Sequence, residues 1–144
     1  AIVTLVNKDL KTRTTRFSYN VRPDPERTAT FPVEFGITGK AILNRMAVAR
    51  DLEPNHMDRY PPEIKPLILP DLKCVLAVPI YLPEKKELGP VGVLAFDSTS
   101  PLSKTKFDTR RAKDIAQAWA DIIGEILART NIYELHPYSK RSKT

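Results

Sequence analysis

The chain has 144 residues, of which 28% are charged and 42% apolar, a size and composition typical of one globular domain. Its single cysteine excludes an intramolecular disulfide, no Cys/His cluster has zinc spacing, and no apolar run approaches the ~20 residues that span a bilayer. The net charge is +6, but no helix-turn-helix, KH, RRM or zinc-finger pattern accompanies it, so we expect no specific nucleic acid partner. From the single cysteine and the lack of a Cys/His cluster we expect no metal and a cytoplasmic location.

The first part of the chain has the pattern of short strands. Residues 1–6 form an apolar run, and residues 12–21 alternate with Phe17, Tyr19 and Val21 on one side. Alternation with a period of two indicates a strand with one buried face. We therefore predict two strands here, the second a half-buried antiparallel strand.

Basic residues gather around this second strand, at Lys8, Lys11, Arg13 and Arg16. Lysines and arginines that alternate with threonine on a strand are typical of a face in contact with solvent. We expect this group to be a solvated edge rather than a phosphate-binding patch.

The middle of the chain is marked by glycine and then by proline. Thr38 lies between Gly36 and Gly39, and it is the residue type that caps helices, which predicts a helix over residues 39–45. Residues 47–52 follow as a short strand. Residues 53–71 contain five prolines and cannot form one long helix, so we predict short helical turns in a lid-like connection.

Two apolar runs, residues 74–82 and 91–96, flank a charged connection that contains Gly and Pro, which indicates a hairpin. Side chains on both faces of each run are apolar, so both strands should be covered on two sides. We predict an α+β fold with a central antiparallel sheet, helices on one face and the proline-rich lid on the other. This arrangement would leave a cavity for a small ligand between sheet and lid.

A long amphipathic helix is predicted over residues 107–129, with a capping box at residues 105–108. Its apolar stripe is wider than one packing seam requires. Two explanations stay open: a homodimer through Trp119, Ile122 and Ile126, or cover by a further helix of the same subunit. Residues 133–144 are basic and without apolar period, which predicts a single domain over residues 1–132 and a flexible tail.

The ordered set of FGITGKAI at 35–42, CVLAVPI at 74–80, VGVLAFDS at 91–98 and the closing helix resembles the GAF domain family. The resemblance implies a regulatory or sensory domain of signal transduction and not an enzyme. Members of the family usually have a helix before the first strand. Its absence here leads us to expect a fragment truncated at its N-terminus.

Several chemistries known among GAF-like proteins do not fit these residues. Those that reduce free methionine sulfoxide use several cysteines, whereas Cys74 stands alone inside an apolar strand and is expected to be a buried, inert thiol. Cyclic-nucleotide-binding members carry two acidic residues where this chain has Arg111 and Ala112. Bilin and haem are likewise not supported, so we expect no cofactor and no catalytic residue.

Our leading hypothesis is a sensor that binds a small molecule between sheet and lid and signals through its terminal helices as a dimer. The polar candidates for ligand contact are Asp51, His56, Tyr60 and Asp97, with Tyr81 along the wall. The alternative is a dimerisation or interaction module of a larger signalling protein, with a cavity filled by apolar side chains. A void of ~300 Å³ or more with a few polar groups would favour the sensor.

Overall fold

The computed structural model of the protein describes residues 1–19 and 29–130. Within these ranges six strands form one sheet in which every pair is antiparallel. Their order across the sheet is β3-β2-β1-β6-β5-β4, with bounds β1 Ile2–Val6, β2 Thr12–Ser18, β3 Thr30–Pro32, β4 Val48–Asp51, β5 Cys74–Ile80 and β6 Gly92–Ser98. The predicted fold with a central antiparallel sheet is confirmed. The end of the predicted second strand at Val21 and the tail at 133–144 lie outside the described residues.

Three helices and three 3₁₀ turns complete the described chain. The helices are α1 Gly36–Asn44, α2 Leu102–Thr105 and α3 Arg110–Arg129. The 3₁₀ turns are His56–Arg59, Lys65–Leu67 and Pro83–Leu88, the first two inside the proline-rich segment where short turns were predicted. No helix in residues 1–19 and 29–130 is long and apolar enough to cross a membrane.

The central hairpin of β5 and β6 is covered on both sides, as its two apolar faces predict. On one side α3 packs against the sheet, and every residue of β5 is buried. The core between them contains Val3, Leu5, Leu76, Val78, Ile80, Leu82, Val91, Leu94, Ala116, Ala120 and Leu127. The side chain of Gln117 fixes α3 to the sheet by donating to the Pro79 carbonyl at 3.0 Å.

The other side of the hairpin is covered by α1 together with the proline-rich segment, which the prediction had placed there alone. The side chains of Ala41 and Ile42 pack on β5 and β6 in a second core. The proline-rich segment reaches this side near Ile68. Its prolines prevent a regular amphipathic helix, so the short helix α1 buries the centre of the face instead.

Both predicted helix starts are wrong because a different residue occupies the cap. Phe35 is the N-cap of α1, so the helix begins at Gly36 and Thr38 lies inside its first turn. The α3 helix begins at Arg110 because the Thr109 hydroxyl accepts a hydrogen bond from the Ala112 N–H at 3.3 Å. The predicted capping box at 105–108 therefore does not form, since its first residue ends α2.

The predicted burial of the aromatic residues of β2 is wrong. Phe17 is 49% exposed and Tyr19 79% exposed, whereas Arg13 and Thr15 are buried. A shift in register between Val3 and Thr4 interrupts the alternation of β2 against β1. The shift puts Phe17 opposite Val3 on the α3 side of the sheet, and because α3 packs mainly over β5, Phe17 lies beyond its cover.

Candidate functional site

A cavity of about 520 Å³ lies between the sheet and α1. Its floor is the α1 side of β1, β2 and β6, and its walls are the start of α1, the end of β4 and the proline-rich segment. The volume falls within the range typical of small-molecule sites. The feature that was expected to favour a sensor over a filled interaction module is therefore present.

Arg13 is the most unusual residue of this cavity. It is only 3% exposed, and its Nη2 donates to the Phe35 carbonyl at 2.8 Å and to the Thr38 hydroxyl. The guanidinium also lies 5.1 Å from the centre of the Phe31 ring. Burial lowers the pKa of Arg13 to about 10. Among residues 1–19 and 29–130, no carboxylate lies within ion-pair distance of it.

The expectation of a solvated basic edge is therefore wrong for Arg13. The register of β2 against β1 and β3 places Arg13 opposite Val6 on one side and Phe31 on the other, and it turns the side chain under α1. A sequence signal existed, because simple alternation puts Arg13 on the same side of the strand as Phe17 and Tyr19, the side predicted to be buried. The prediction followed the group of basic residues instead.

Three buried polar atoms have no hydrogen-bond partner in the described part of the chain: Thr4 Oγ1, Arg13 Nε and His56 Nε2. All three residues line the cavity. The His56 Nδ1 lies 3.1 Å from the Glu53 carbonyl oxygen and must donate to it, which leaves Nε2 as the unused nitrogen. Buried polar groups are nearly always paired, with protein, ordered water or a ligand, so a molecule inside the cavity is the available partner of these three atoms.

Four of the five residues predicted for ligand contact line this one cavity: Asp51, His56, Tyr60 and Asp97. The structure thus brings together residues that are 46 positions apart in the sequence. Asp51 is exposed, and its Oδ1 accepts a hydrogen bond from the Leu102 N–H at 2.9 Å. The Tyr60 ring lies 6.4 Å from the His56 ring, within a group of aromatic side chains.

Tyr81 is placed elsewhere, so its predicted position along the cavity wall is wrong. It follows the last residue of β5, and its hydroxyl donates to the Arg45 carbonyl at the end of α1, at 2.9 Å. Burial raises the pKa of this phenol. The predicted strand over residues 74–82 includes Tyr81, but β5 ends at Ile80.

The side chain of Asp97 lies in β6 at the cavity floor, where burial raises the pKa of its carboxyl group. When the pKa of a carboxyl group is higher in the folded than in the unfolded state, its ionisation destabilises the folded chain. The free energy of unfolding therefore falls as the pH rises through the folded pKa. We therefore expect Asp97→Asn to raise the free energy of unfolding at pH 7, and the gain to vanish below pH 3.8, the ordinary value. Urea denaturation at several pH values measures the difference.

The exposed Asp71 supplies the matched control for this experiment, as Asp71→Asn, because it replaces a carboxylate that already contacts water. A gain from Asp97→Asn that stays constant between pH 3 and pH 7 would contradict the assigned environment of Asp97. A loss of stability at pH 7 would contradict it as well.

Two further charged residues of the cavity lining pair with each other. The Arg59 guanidinium forms an ion pair with Glu53, and both side chains are exposed. Within residues 1–19 and 29–130 no group of three or more His, Cys, Asp or Glu side chains has metal-binding geometry. Cys74 is fully buried outside the cavity lining, its Sγ lies 3.1 Å from the Ser100 carbonyl oxygen, and burial raises its pKa.

Solved structures share this architecture. The GAF domain of an Acinetobacter phosphoenolpyruvate-protein phosphotransferase superposes with a TM-score of 0.66 at 14% identity, over 92% of this chain and 72% of that chain. The GAF domain of a two-component sensor histidine kinase from Bacillus halodurans gives 0.65 at 19% identity, over 92% and 83%. A type II free methionine-R-sulfoxide reductase from Thermoplasma acidophilum gives 0.59 at 11% identity, over 89% and 77%.

Comparison with protein-family models and with curated proteins gives no match to this chain. At identities of 11–19%, the likeness to solved structures establishes the fold and nothing finer. The chain has the fold of GAF domains, and the resemblance drawn from its motifs is confirmed at that level.

Proposed function

We propose that this chain is a regulatory domain that binds a small molecule in the cavity between the sheet and α1. The observation that carries the proposal is the set of three unpaired buried polar atoms, all on residues that line the cavity. A buried hydroxyl, guanidinium nitrogen or imidazole nitrogen without a partner lowers the stability of the folded chain by roughly 1–3 kcal/mol. Residues that lower stability are typical of binding sites, where a ligand supplies the missing partner.

The clearest test of this reading is the Thr4 hydroxyl, which is buried on β1 at the cavity floor. The Thr4→Val variant keeps the shape of the side chain and removes the unpaired oxygen. We expect the ligand-free domain to gain about 1 kcal/mol in its free energy of unfolding, because no hydrogen bond is lost. Chemical denaturation measures the change.

Thr12 supplies the matched control on the neighbouring strand. Its hydroxyl donates to Asp9 at 2.8 Å and accepts from Asn7 at 2.9 Å, so Thr12→Val should lower stability. If Thr4→Val destabilises the domain as much as Thr12→Val does, the Thr4 hydroxyl has a partner within the folded chain. The proposal would then lose one of its three supporting atoms.

A physical connection runs from the cavity to α3, which we propose as the output helix. The Tyr81 hydroxyl donates to the carbonyl of Arg45, the C-cap residue of α1. The Tyr81 backbone carbonyl lies directly against Gly124 of α3. A ligand that moves α1 would act on α3 through this one residue, and a population shift between two positions of α3 would carry the signal.

We further propose that α3 pairs with a second copy of the chain. Four large apolar side chains on α3 are half-exposed or more: Ile115, Trp119, Ile122 and Ile126. They form an exposed stripe at helical spacing beside the face that packs on the sheet. The same stripe supports the second candidate function, an interaction module that dimerises and binds no ligand, and the cavity favours the first.

Trp119 is the only tryptophan of the chain and is 57% exposed, so its fluorescence reports on this interface. If α3 dimerises, we expect the emission maximum to shift to the blue and acrylamide quenching to fall as the protein concentration rises. Sedimentation velocity over the same range measures the mass. An isologous interface of this kind buries about 1,200 Å² or more in total.

The reference for these measurements is a monomer with an exposed Trp119. The double variant Ile122→Glu, Ile126→Glu supplies it, because two added charges should prevent pairing of α3. Emission that stays unchanged to high micromolar concentration, with a monomeric mass, would leave α3 without a dimer role. The cavity proposal would be unaffected by that result.

We propose no enzymatic activity for this chain, although it shares its fold with a methionine sulfoxide reductase. Its one cysteine does not line the cavity, and its raised pKa disfavours the reactive thiolate. A buried cysteine that forms no disulfide suits a reducing compartment, and we propose the cytoplasm.

A further inference from the structure

Arg13 brings a buried positive charge to the amino end of α1. Its Nη2 donates to the carbonyl of Phe35, the N-cap residue, and to the hydroxyl of Thr38 in the first turn. The amino end of a helix carries partial positive charge from its unpaired N–H groups. The structure therefore places the buried guanidinium of Arg13 beside the partial positive charge at the amino end of α1.

No carboxylate in residues 1–19 and 29–130 pairs with this charge. The Phe35 cap has no side chain that accepts a hydrogen bond, and the first turn of α1 contains no acidic residue. A buried arginine is usually paired with a carboxylate, and a helix amino end usually has an acidic or hydroxyl cap. In the part of the chain that the structure describes, Arg13 has no carboxylate partner, α1 has no such cap, and the Nε of Arg13 has no hydrogen-bond partner.

The carboxylates that line the cavity do not supply the missing charge. Glu34 is exposed, and the Glu53 carboxylate is engaged by Arg59. Asp51 accepts from the Leu102 N–H. Asp97 stands on β6, which is separated from the β2 strand of Arg13 by β1, or about 10 Å across two strand spacings.

We propose that the cavity binds a small organic anion, a carboxylate or a phosphate on an apolar body, with the anionic group held between Arg13 and the amino end of α1. The inference rests on the proposed ligand-binding function and adds the chemical class of the ligand. A guanidinium and free helix N–H groups are the donors that recognise both anions.

The surroundings of Arg13 define the rest of the ligand. The rings of Phe31 and Phe35 lie 6.1 Å apart beside the guanidinium, and the Tyr60 ring lies 5.3 Å from Phe35. Further along, the lining is mainly aliphatic, with Ile37, Leu52, Ile68, Leu72 and Val75. An anion with an aromatic or aliphatic body satisfies both parts of this cavity.

Two fluorescent dyes of nearly equal shape test the charge requirement. The first is 1-anilinonaphthalene-8-sulfonate, which is anionic, and the second is N-phenyl-1-naphthylamine, which lacks the sulfonate. We expect wild-type protein to bind one molecule of either dye. We expect Arg13→Met to weaken binding of the anionic dye at least tenfold and binding of the neutral dye less than twofold.

Arg16→Met is the matched control, because Arg16 lies on the same strand and is exposed outside the cavity lining. It should leave both affinities unchanged. Circular dichroism checks that each variant is folded, and Arg13→Gln serves if Arg13→Met is not. Glu34→Gln should not strengthen binding of the anionic dye, because the inference treats Arg13 as having no carboxylate partner. A tenfold gain in this variant would show that Glu34 competes for Arg13, and it would overturn the inference.

The outcomes separate this inference from the function on which it rests. Equal loss of both dyes in the folded Arg13 variants, or loss of neither, overturns the anion assignment and leaves the cavity as a ligand site. Binding of neither dye by wild-type protein overturns both proposals.

Competition against the anionic dye distinguishes the two anions. The competitors are 1-naphthoate, 1-naphthyl phosphate and the neutral 1-naphthylmethanol. Displacement by the carboxylate at least tenfold more strongly than by the other two assigns a carboxylate ligand, and the converse assigns a phosphate. Equal displacement by all three competitors would contradict an anion site.

Discussion

The Val78→Asp variant should fail to reach the native fold at room temperature. Val78 is completely buried at the centre of β5, within the core that α3 forms with the sheet. An aspartate there would place an unpaired carboxylate among apolar side chains, which costs several kcal/mol. Domains of this size are stable by only about 5–15 kcal/mol, so one such change removes most of the margin.

Loss of near-ultraviolet circular dichroism and of dispersed amide signals would show this result. Val78→Ala is the matched control, since it removes two methyl groups without adding charge and should lower stability by roughly 2 kcal/mol. A soluble Val78→Asp variant with an unchanged melting temperature would mean that β5 is not covered by α3.

Gly124→Ala should destabilise the domain, although alanine is the better helix former. In an isolated helix this substitution gains about 1 kcal/mol. Here the added methyl group would lie far inside van der Waals contact of the Tyr81 carbonyl oxygen, which belongs to the backbone and cannot turn away. We expect the free energy of unfolding to fall by about 1–3 kcal/mol, because α3 must shift away from the sheet.

Ala118→Gly measures the propensity term by itself, at an exposed position in the middle of the same helix. Urea denaturation of both variants gives the two free energies. An increase in stability for Gly124→Ala would show that α3 does not pack closely against the end of β5. The connection through Tyr81 that we propose for the signal would then be lost.

The regular parts of the fold could be predicted because their residues carry strong local signals. The two apolar runs of β5 and β6 and the helical stripe of α3 identify these elements and the sheet that they share. Helix starts were wrong because several Thr residues could serve as caps, and tertiary contacts decide among them. Thr38, for example, uses its hydroxyl to accept from Arg13 and not to cap α1.

The cavity could be predicted in part. Asp51 lies near the end of one predicted strand, Asp97 follows another, and His56 and Tyr60 lie in the predicted lid; all four line the cavity. Arg13 was missed because basic residues among threonines are typical of a solvated strand. Simple alternation puts Arg13, Thr15 and Phe17 on one side, but the shift in register between β1 and β2 separates the buried Arg13 and Thr15 from the exposed Phe17. The strand pairing that resolves this choice is a long-range property.

The position of a bound dye tests the central claim, that the cavity between the sheet and α1 is a ligand site. The measurement is a titration of ¹⁵N-labelled protein with each of the two dyes, followed by amide chemical shifts. We predict saturable changes centred on Thr4, Thr15, Asp97 and the first turn of α1. Changes centred on Trp119, Ile122 and Ile126 instead, with the cavity amides unmoved, would contradict the claim.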